Sequence, residues 1–204
     1  MVNIAVFASG NGSNFENIVT SIHAKQLNSA ECRLLVVDKE HAYAIERAKR
    51  HGIPYLYVNP KAYPNKAEYE RFILSKLKEY QIELIVLAGY MRFIGEVLLQ
   101  AYPYRIMNLH PAYLPQFPGA HSIQDAFEAK VDYTGVTVHY VDEGVDTGEI
   151  IYQEKLMIDP DWSLEKLEEQ VHALEYQLFP KAIQMIIDKI ESEKKEENNE
   201  TSVG

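Results

Sequence analysis

The chain has 204 residues, 47% of them hydrophobic, enough for one α/β domain with a real core rather than several small ones. Its 30 acidic and 20 basic residues leave a formal charge of −10 at pH 7, which repels a nucleic-acid backbone wherever no local basic pocket overrides the field. The single cysteine, Cys32, lies in an apolar run and excludes an intrachain disulfide; with no leader-like N-terminus and no apolar stretch of about 18 residues, a cytoplasmic protein without membrane spans is expected.

Short β-branched or aliphatic runs alternate with segments of helical period. Ile4 to Phe7 precedes Asn14 to Ala24, Arg33 to Val37 precedes Ala42 to Arg50, and Tyr55 to Val58 precedes Ala67 to Tyr80 and then Glu83 to Leu87. This alternation predicts βαβ units and a parallel sheet. Beyond Leu87 the run Tyr102 to Leu109 is followed by Pro111, Pro115 and Pro118, which exclude a central strand or helix interior and suit a rigid site wall. Thr134 to Val141 and Ile150 to Met157 read as partners that add antiparallel strands. From Ser163 a long helix carries Leu164, Leu167, Val171, Leu174 and Leu178, with a kink expected at Pro180 before Ile183, Ile186 and Ile187. The fold class expected is α/β: a single Rossmann-like domain over residues 1–190, a mostly parallel twisted sheet with antiparallel additions and helices on both faces. Residues 191–204 are a charged run with too few apolar groups to order themselves.

Directly after the first strand, Ser9-Gly10-Asn11-Gly12-Ser13-Asn14 opens the first helix. A glycine turn at a helix N-terminus presents backbone N–H groups and a positive dipole end to an anion, with Ser13 and Asn14 as further donors. The same residues also suit an ordinary βα turn capped by Ser13 or Asn14. A nucleoside-triphosphate loop lacks its Gly-Lys-Ser/Thr ending here, and Phe15 stands where a dinucleotide fingerprint needs its third glycine, although Asp38 lies where a ribose-binding acid of a dehydrogenase would.

Met107-Asn108-Leu109-His110-Pro111 is the most informative stretch. In an extended chain Asn108 and His110 share one face while Met107 and Leu109 take the other, so two polar groups leave the sheet together where ligand sites gather in open α/β folds. The alternative is a structural pair tying the proline loop to the sheet. A carboxylate partner is available in Asp146, flanked by Gly144 and Gly148, with Asp142 behind it. His121 and His139 are candidate supporting residues. No pair among His110, His121 and His139 has a short metal-ligand spacing and Cys32 is far off, so no metal is expected.

Taken together, the glycine loop, Leu87-Ala88-Gly89-Tyr90-Met91-Arg92, Asn108-Leu109-His110-Pro111 with Leu114-Pro115, and the run from Gly135 through His139 to Gly148 resemble the folate-dependent formyltransferases from Ile4 to about Phe179. The resemblance implies transfer of the formyl group of 10-formyltetrahydrofolate, the co-substrate, to an amine, in particular that of glycinamide ribonucleotide in purine synthesis. The expected partners are thus small molecules, with neither nucleic acid nor membrane. It implies that Asn108, His110 and Asp146 form a catalytic trio, that Gly12, Ser13 and Asn14 hold a ribonucleotide phosphate, and that Glu175 contacts the same substrate. It implies a folate pocket of Met91, Arg92, Phe93, Ile94, Val141, Asp142, Glu143, Gly144 and Val145, with Asn108 and Asp146 at its reacting end. Lys66 stands where many members carry an arginine for the nucleotide phosphate or the folate tail and is counted with the folate-binding residues; Ala112 replaces a common serine and Glu149 a common proline. Methionyl-tRNA formyltransferase, for which the charge and the missing extra C-terminal domain are unfavourable, formyltetrahydrofolate deformylase, for which no N-terminal regulatory domain is expected, and a non-catalytic phosphate-ligand domain are the alternatives.

Overall fold

A computed structural model describes residues 1–201. Its centre is one seven-stranded sheet in the order β3-β2-β1-β4-β5-β6-β7. The strands are β1 (Val2–Ala8), β2 (Ala30–Val37), β3 (Tyr55–Tyr57), β4 (Leu84–Leu87), β5 (Ile106–His110), β6 (Tyr133–Tyr140) and β7 (Ile150–Met157). The first five run parallel, while β6 pairs antiparallel with β5 and β7 with β6, as the two alternating runs predict.

The helices are α1 (Ser13–His23), α2 (Ala44–His51), α3 (Lys66–Glu79), α4 (Glu96–Ala101), α5 (Ser122–Glu128) and α6 (Leu164–Thr201). Alternate strand residues feed two cores. Ile4, Val6 and Ala8 of β1 join a core with α1, α2 and α6, and Ala5 and Phe7 join the other, with Tyr69, Ile73 and Leu77 of α3 and Leu98 of α4. Burial on both faces explains why β1, β2 and β4 are near-continuous apolar runs.

α6 extends further than its composition suggests. Residues 191–201, expected to be an unordered charged tail, continue the helix to Thr201. Charges from distant elements meet that segment: the Met1 ammonium lies 2.7 Å from Glu191, Arg105 pairs with Glu193 at 2.5 Å and Lys194 with Glu83 at 2.6 Å. Residues 202–204 of the expected tail lie outside the described residues. Pro180 lies inside this helix. A proline has no N–H to return to the fourth carbonyl before it, and that carbonyl, Tyr176 O, accepts instead from Asn17 Nδ2 of α1 at 3.0 Å. The bond left unmade by Pro180 is thereby used to dock the first helix on the last. None of the described helices is long and apolar enough to cross a membrane.

Candidate active site

The strand order reverses direction between β1 and β4, where open α/β sheets hold ligands. The loops leaving these strands are joined: Ser9 N–H donates to Gly89 O at 3.0 Å, and Met91 N–H donates to Ser9 Oγ at 2.8 Å. α1 begins at Ser13 without a side-chain cap, so its first-turn N–H groups are free of that competition. Gly12 has φ 75°, and a Cβ there would stand 2.5 Å from the Ala44 Cβ, so a side chain is excluded twice over.

Glu175 belongs to this half of the site. On α6 it is only 5% exposed, and one carboxylate oxygen, Oε2, accepts from Asn14 Nδ2 at 3.0 Å and lies 3.0 Å from His172 Nδ1. The His172 pKa is raised above its usual value, chiefly by that hydrogen bond and against the opposing effect of burial. Asn14 Oδ1 is buried with no hydrogen-bond partner, an acceptor suited to a ligand N–H or O–H.

The second half is built on β5 and β6. Asn108 and His110 leave β5 on the same face as Ile106, while Met107 and Leu109 enter the opposite core. The antiparallel register sets His139 across from Asn108, and His139 Nε2 lies 3.3 Å from Asn108 Nδ2. Beyond β6 the chain folds back sharply. Asp142 Oδ1 accepts from Gly144 N–H at 2.9 Å and from the Thr147 hydroxyl at 2.8 Å, and Gly148 packs so closely on Tyr140 that a Cβ would stand 1.7 Å from its carbonyl oxygen. Asp146, at φ 54°, is carried into contact with both histidines: Oδ2 is 3.5 Å from His110 Nδ1 and Oδ1 is 3.7 Å from His139 Nε2.

The surrounding backbone fixes the proton positions. His110 Nε2 lies 2.9 Å from Phe117 O, which can only accept, so Nε2 carries a proton and Nδ1 is turned to the Asp146 carboxylate. An imidazolium would donate on both sides. His139 Nδ1 donates to Tyr140 O at 2.7 Å, leaving Nε2 for Asn108 and Asp146. Burial acts to raise the Asp146 pKa, but the nearby His139 Nε2, the Gly119 N–H at 2.8 Å and the charges of the two imidazoles outweigh it and hold the carboxyl below its usual 3.8. The proline loop after His110 is tied to β6 and β7. The Thr137 hydroxyl donates to Ala112 O at 2.7 Å and accepts from Leu114 N–H, and Gln153 Nε2 donates to Leu114 O at 2.8 Å.

The expected residues thus fall into groups. Gly12, Ser13, Asn14 and Glu175 come together at one side, and Asn108, His110, His139 and Asp146 at the other. Val141, Asp142, Glu143 and Gly144 line a cleft of about 570 Å³ with Leu99 and Tyr102, whereas Lys66, Met91, Arg92, Phe93, Ile94, Val145, Asn108 and Asp146 do not line it. Met91 and Phe93 are each 67% exposed on the loop joined to Ser9, Ile94 is buried, and Arg92 lies 5.4 Å over the Tyr69 ring. The Lys66 side chain lies beside Glu70 against Gly95. His121 is exposed at the start of α5 and makes no hydrogen bond or ion pair with the trio. Sequence reasoning missed Phe117 and Gly119, which act through backbone atoms and leave no side-chain signal. It also missed His172, whose spacing of three from Glu175 on a helix was the available clue. Among the described residues no group of three or more His, Cys, Asp or Glu side chains could hold a metal ion.

A family model described as formyl transferase matches residues 2–183, and the chain belongs to that family. Among individual proteins it is 49% identical over 187 residues to the phosphoribosylglycinamide formyltransferase of Bacillus subtilis (strain 168), covering 92% of this chain and 95% of that one. The crystal structure of glycinamide ribonucleotide transformylase 1 from Geobacillus kaustophilus superposes with a TM-score of 0.89 at 49% identity, over 92% of this chain and 99% of that chain. The phosphoribosylglycinamide formyltransferase of Bacillus halodurans gives 0.88 at 48% identity, over 92% and 96%.

Proposed function

We propose that this chain transfers the formyl group of 10-formyltetrahydrofolate to the amine of glycinamide ribonucleotide, in the cytoplasm and as a step of purine biosynthesis. The observation that carries the reading is the meeting of Asn108, His110 and Asp146, residues from a strand end and a distant turn, within one cluster. The names of the B. subtilis and G. kaustophilus relatives support the choice of acceptor.

The cleft lined by Val141 to Gly144 suits the folate: its volume lies in the usual range for small-ligand sites, and Leu99, Tyr102 and Val141 offer apolar walls beside polar loop groups. When bound, the folate supplies an activated formyl carbon. The chain's own residues do the rest. The glycine loop and the N-terminus of α1 hold the acceptor's phosphate, and Glu175 with the unpaired Asn14 Oδ1 receives donors from the same molecule. Asn108 and protonated His110 donate to the negative charge that develops on the formyl oxygen as the amine attacks. His110 Nε2–H reaches that oxygen by exchanging its Phe117 carbonyl partner for it. Asp146, ionised and facing His110 Nδ1, helps remove the proton lost by the amine; as the tetrahedral adduct collapses, the bond from the formyl carbon to the folate nitrogen breaks and that nitrogen takes up a proton as tetrahydrofolate leaves. No activated nucleophile is required, and burial pushes the Cys32 thiol up to about 12, unsuited to covalent catalysis.

The test is the absorbance change on folate deformylation, measured with glycinamide ribonucleotide, with methionyl-tRNA, with water alone and with no added acceptor. Turnover that depends on glycinamide ribonucleotide supports the reading. Equal rates with tRNA, or rates indifferent to any acceptor, would replace it with one of the sister reactions, and no turnover at all would leave only a phosphate-ligand domain.

A further inference from the structure

The glycine loop takes its shape from α2, an element that stands behind it. Ala44 N–H donates to Gly10 O at 3.1 Å. Arg47 donates through Nε to Asn11 O at 2.8 Å and through Nη2 to Asn11 Oδ1 at 2.5 Å, and its Nη1 pairs with Glu16 on the first turn of α1. The guanidinium lies 5.1 Å over the Tyr43 ring, which restrains its plane.

In a trans peptide the N–H points opposite to the C=O. Drawing the carbonyls of Gly10 and Asn11 toward α2 therefore turns the N–H groups of Asn11 and Gly12 away from it, and neither donates to another described residue. Consecutive N–H groups facing one way, with a left-handed residue at Gly12, make an anion-binding concavity.

We propose that Arg47 is a positioning residue for the acceptor's phosphate: it orients the Asn11–Gly12 peptide from behind and does not touch the ligand. The proposal rests on the reading of this loop as the phosphate seat of a ribonucleotide acceptor. Lysine cannot replace it, because one ammonium cannot meet the two Asn11 oxygens and Glu16 in a single plane. Arg50 is the matched control: it also pairs with Glu16, at 3.3 Å, but makes no contact with Asn11.

The experiment compares the full chain with Arg47→Lys, Arg47→Gln and Arg50→Gln, by steady-state kinetics for both substrates and by the amide shifts of Asn11 and Gly12 on titration with inorganic phosphate. Arg47→Lys is expected to raise KM for glycinamide ribonucleotide about 10–100-fold, the scale of one charge-assisted hydrogen bond, while kcat and KM for formylfolate hold. The phosphate-induced shifts should weaken in parallel, and Arg50→Gln should behave as wild type. An unchanged acceptor KM with unchanged shifts in Arg47→Lys overturns the proposal. So does an equal effect of Arg50→Gln, which would assign the effect to the Glu16 charge, and so do kcat and both KM values failing together, the mark of a general structural loss. If Arg47→Gln does not fold, Arg47→Lys carries the test. Wild-type turnover judges the reaction and the amide titration judges Arg47, so each can fail without the other.

Discussion

Two histidine–carboxylate pairs serve the two halves of the site, and they are built differently. His110 and Asp146 meet across elements, with side chains only 6% and 13% exposed. His172 and Glu175 are neighbours on one helix, with the His172 side chain 51% and the Glu175 side chain 7% exposed. The first pair depends on a loop folding back on β6, so its geometry is a property of the whole fold. The second depends on helical spacing, with Asn14 joining Glu175 from α1. On the proposed function the difference separates two tasks: in the β5–β6 half side chains do the chemistry, and in the glycine-loop half backbone N–H groups do the binding.

The largest expected effect falls on the side-chain half. Asn108→Ala or His110→Ala should lower kcat about 10²–10³-fold with the thermal midpoint little changed, and Asp146→Asn should be similarly damaging. A near-wild-type rate in either of the first two removes the oxyanion mechanism, and tolerance of Asp146→Asn removes that residue from it. In the backbone half Gly12→Ala should cost about 2–4 kcal/mol of stability, from left-handed strain and from overlap with Ala44. Denaturant unfolding reads it, and a silent substitution would mean that α2 does not close on the loop.

Next in size is the pH response of the buried pair. The Asp146 pKa is held below its usual 3.8, so its contribution to stability is full above about pH 4 and is lost as pH falls through the folded value. The difference in unfolding free energy between wild type and Asp146→Asn should therefore shrink on acidification. A difference constant from neutral pH down through the carboxylate range would show that the charge contacts are not what stabilises the loop.

The same contrast governs what could be read in advance. β1, β2 and β4 are legible because burial on both faces demands near-continuous apolar runs, and Asn108 and His110 stand out as polar groups two apart on a strand. Of the run Tyr102 to Leu109 only Ile106 onward is strand, and the preceding residues 96–101 form α4, whose six residues are too few to declare a helical period. α5, with seven, is missed for the same reason. Composition could not disclose that residues 191–201 are helical, since Met1, Glu83 and Arg105 reach that segment from elsewhere in the chain. Asp146 could be nominated from its glycine-flanked turn, but the Gly119 N–H that steadies it comes from a different loop.

The smallest effect distinguishes the helical pair from the buried one by the sign of its pH dependence. His172 has a raised pKa, so it contributes stability that is fully present below about pH 6.5, its unfolded value, and is lost as pH rises through the folded value. Because the imidazole is half exposed, water screens the pair, and His172→Gln should cost only about 0.3–0.5 kcal/mol, seen at mildly acidic pH and vanishing in alkali. The groups that face it are Glu175 and, less closely, Glu168, both on α6, with Asn14 approaching the same carboxylate from α1. Asp146→Asn should diverge from wild type toward neutral pH, and His172→Gln toward acid. If the His172→Gln difference instead grew with pH, the imidazole would be acting as a neutral donor through Nδ1–H. Glu175 would then hold Asn14 without the help of a charged neighbour.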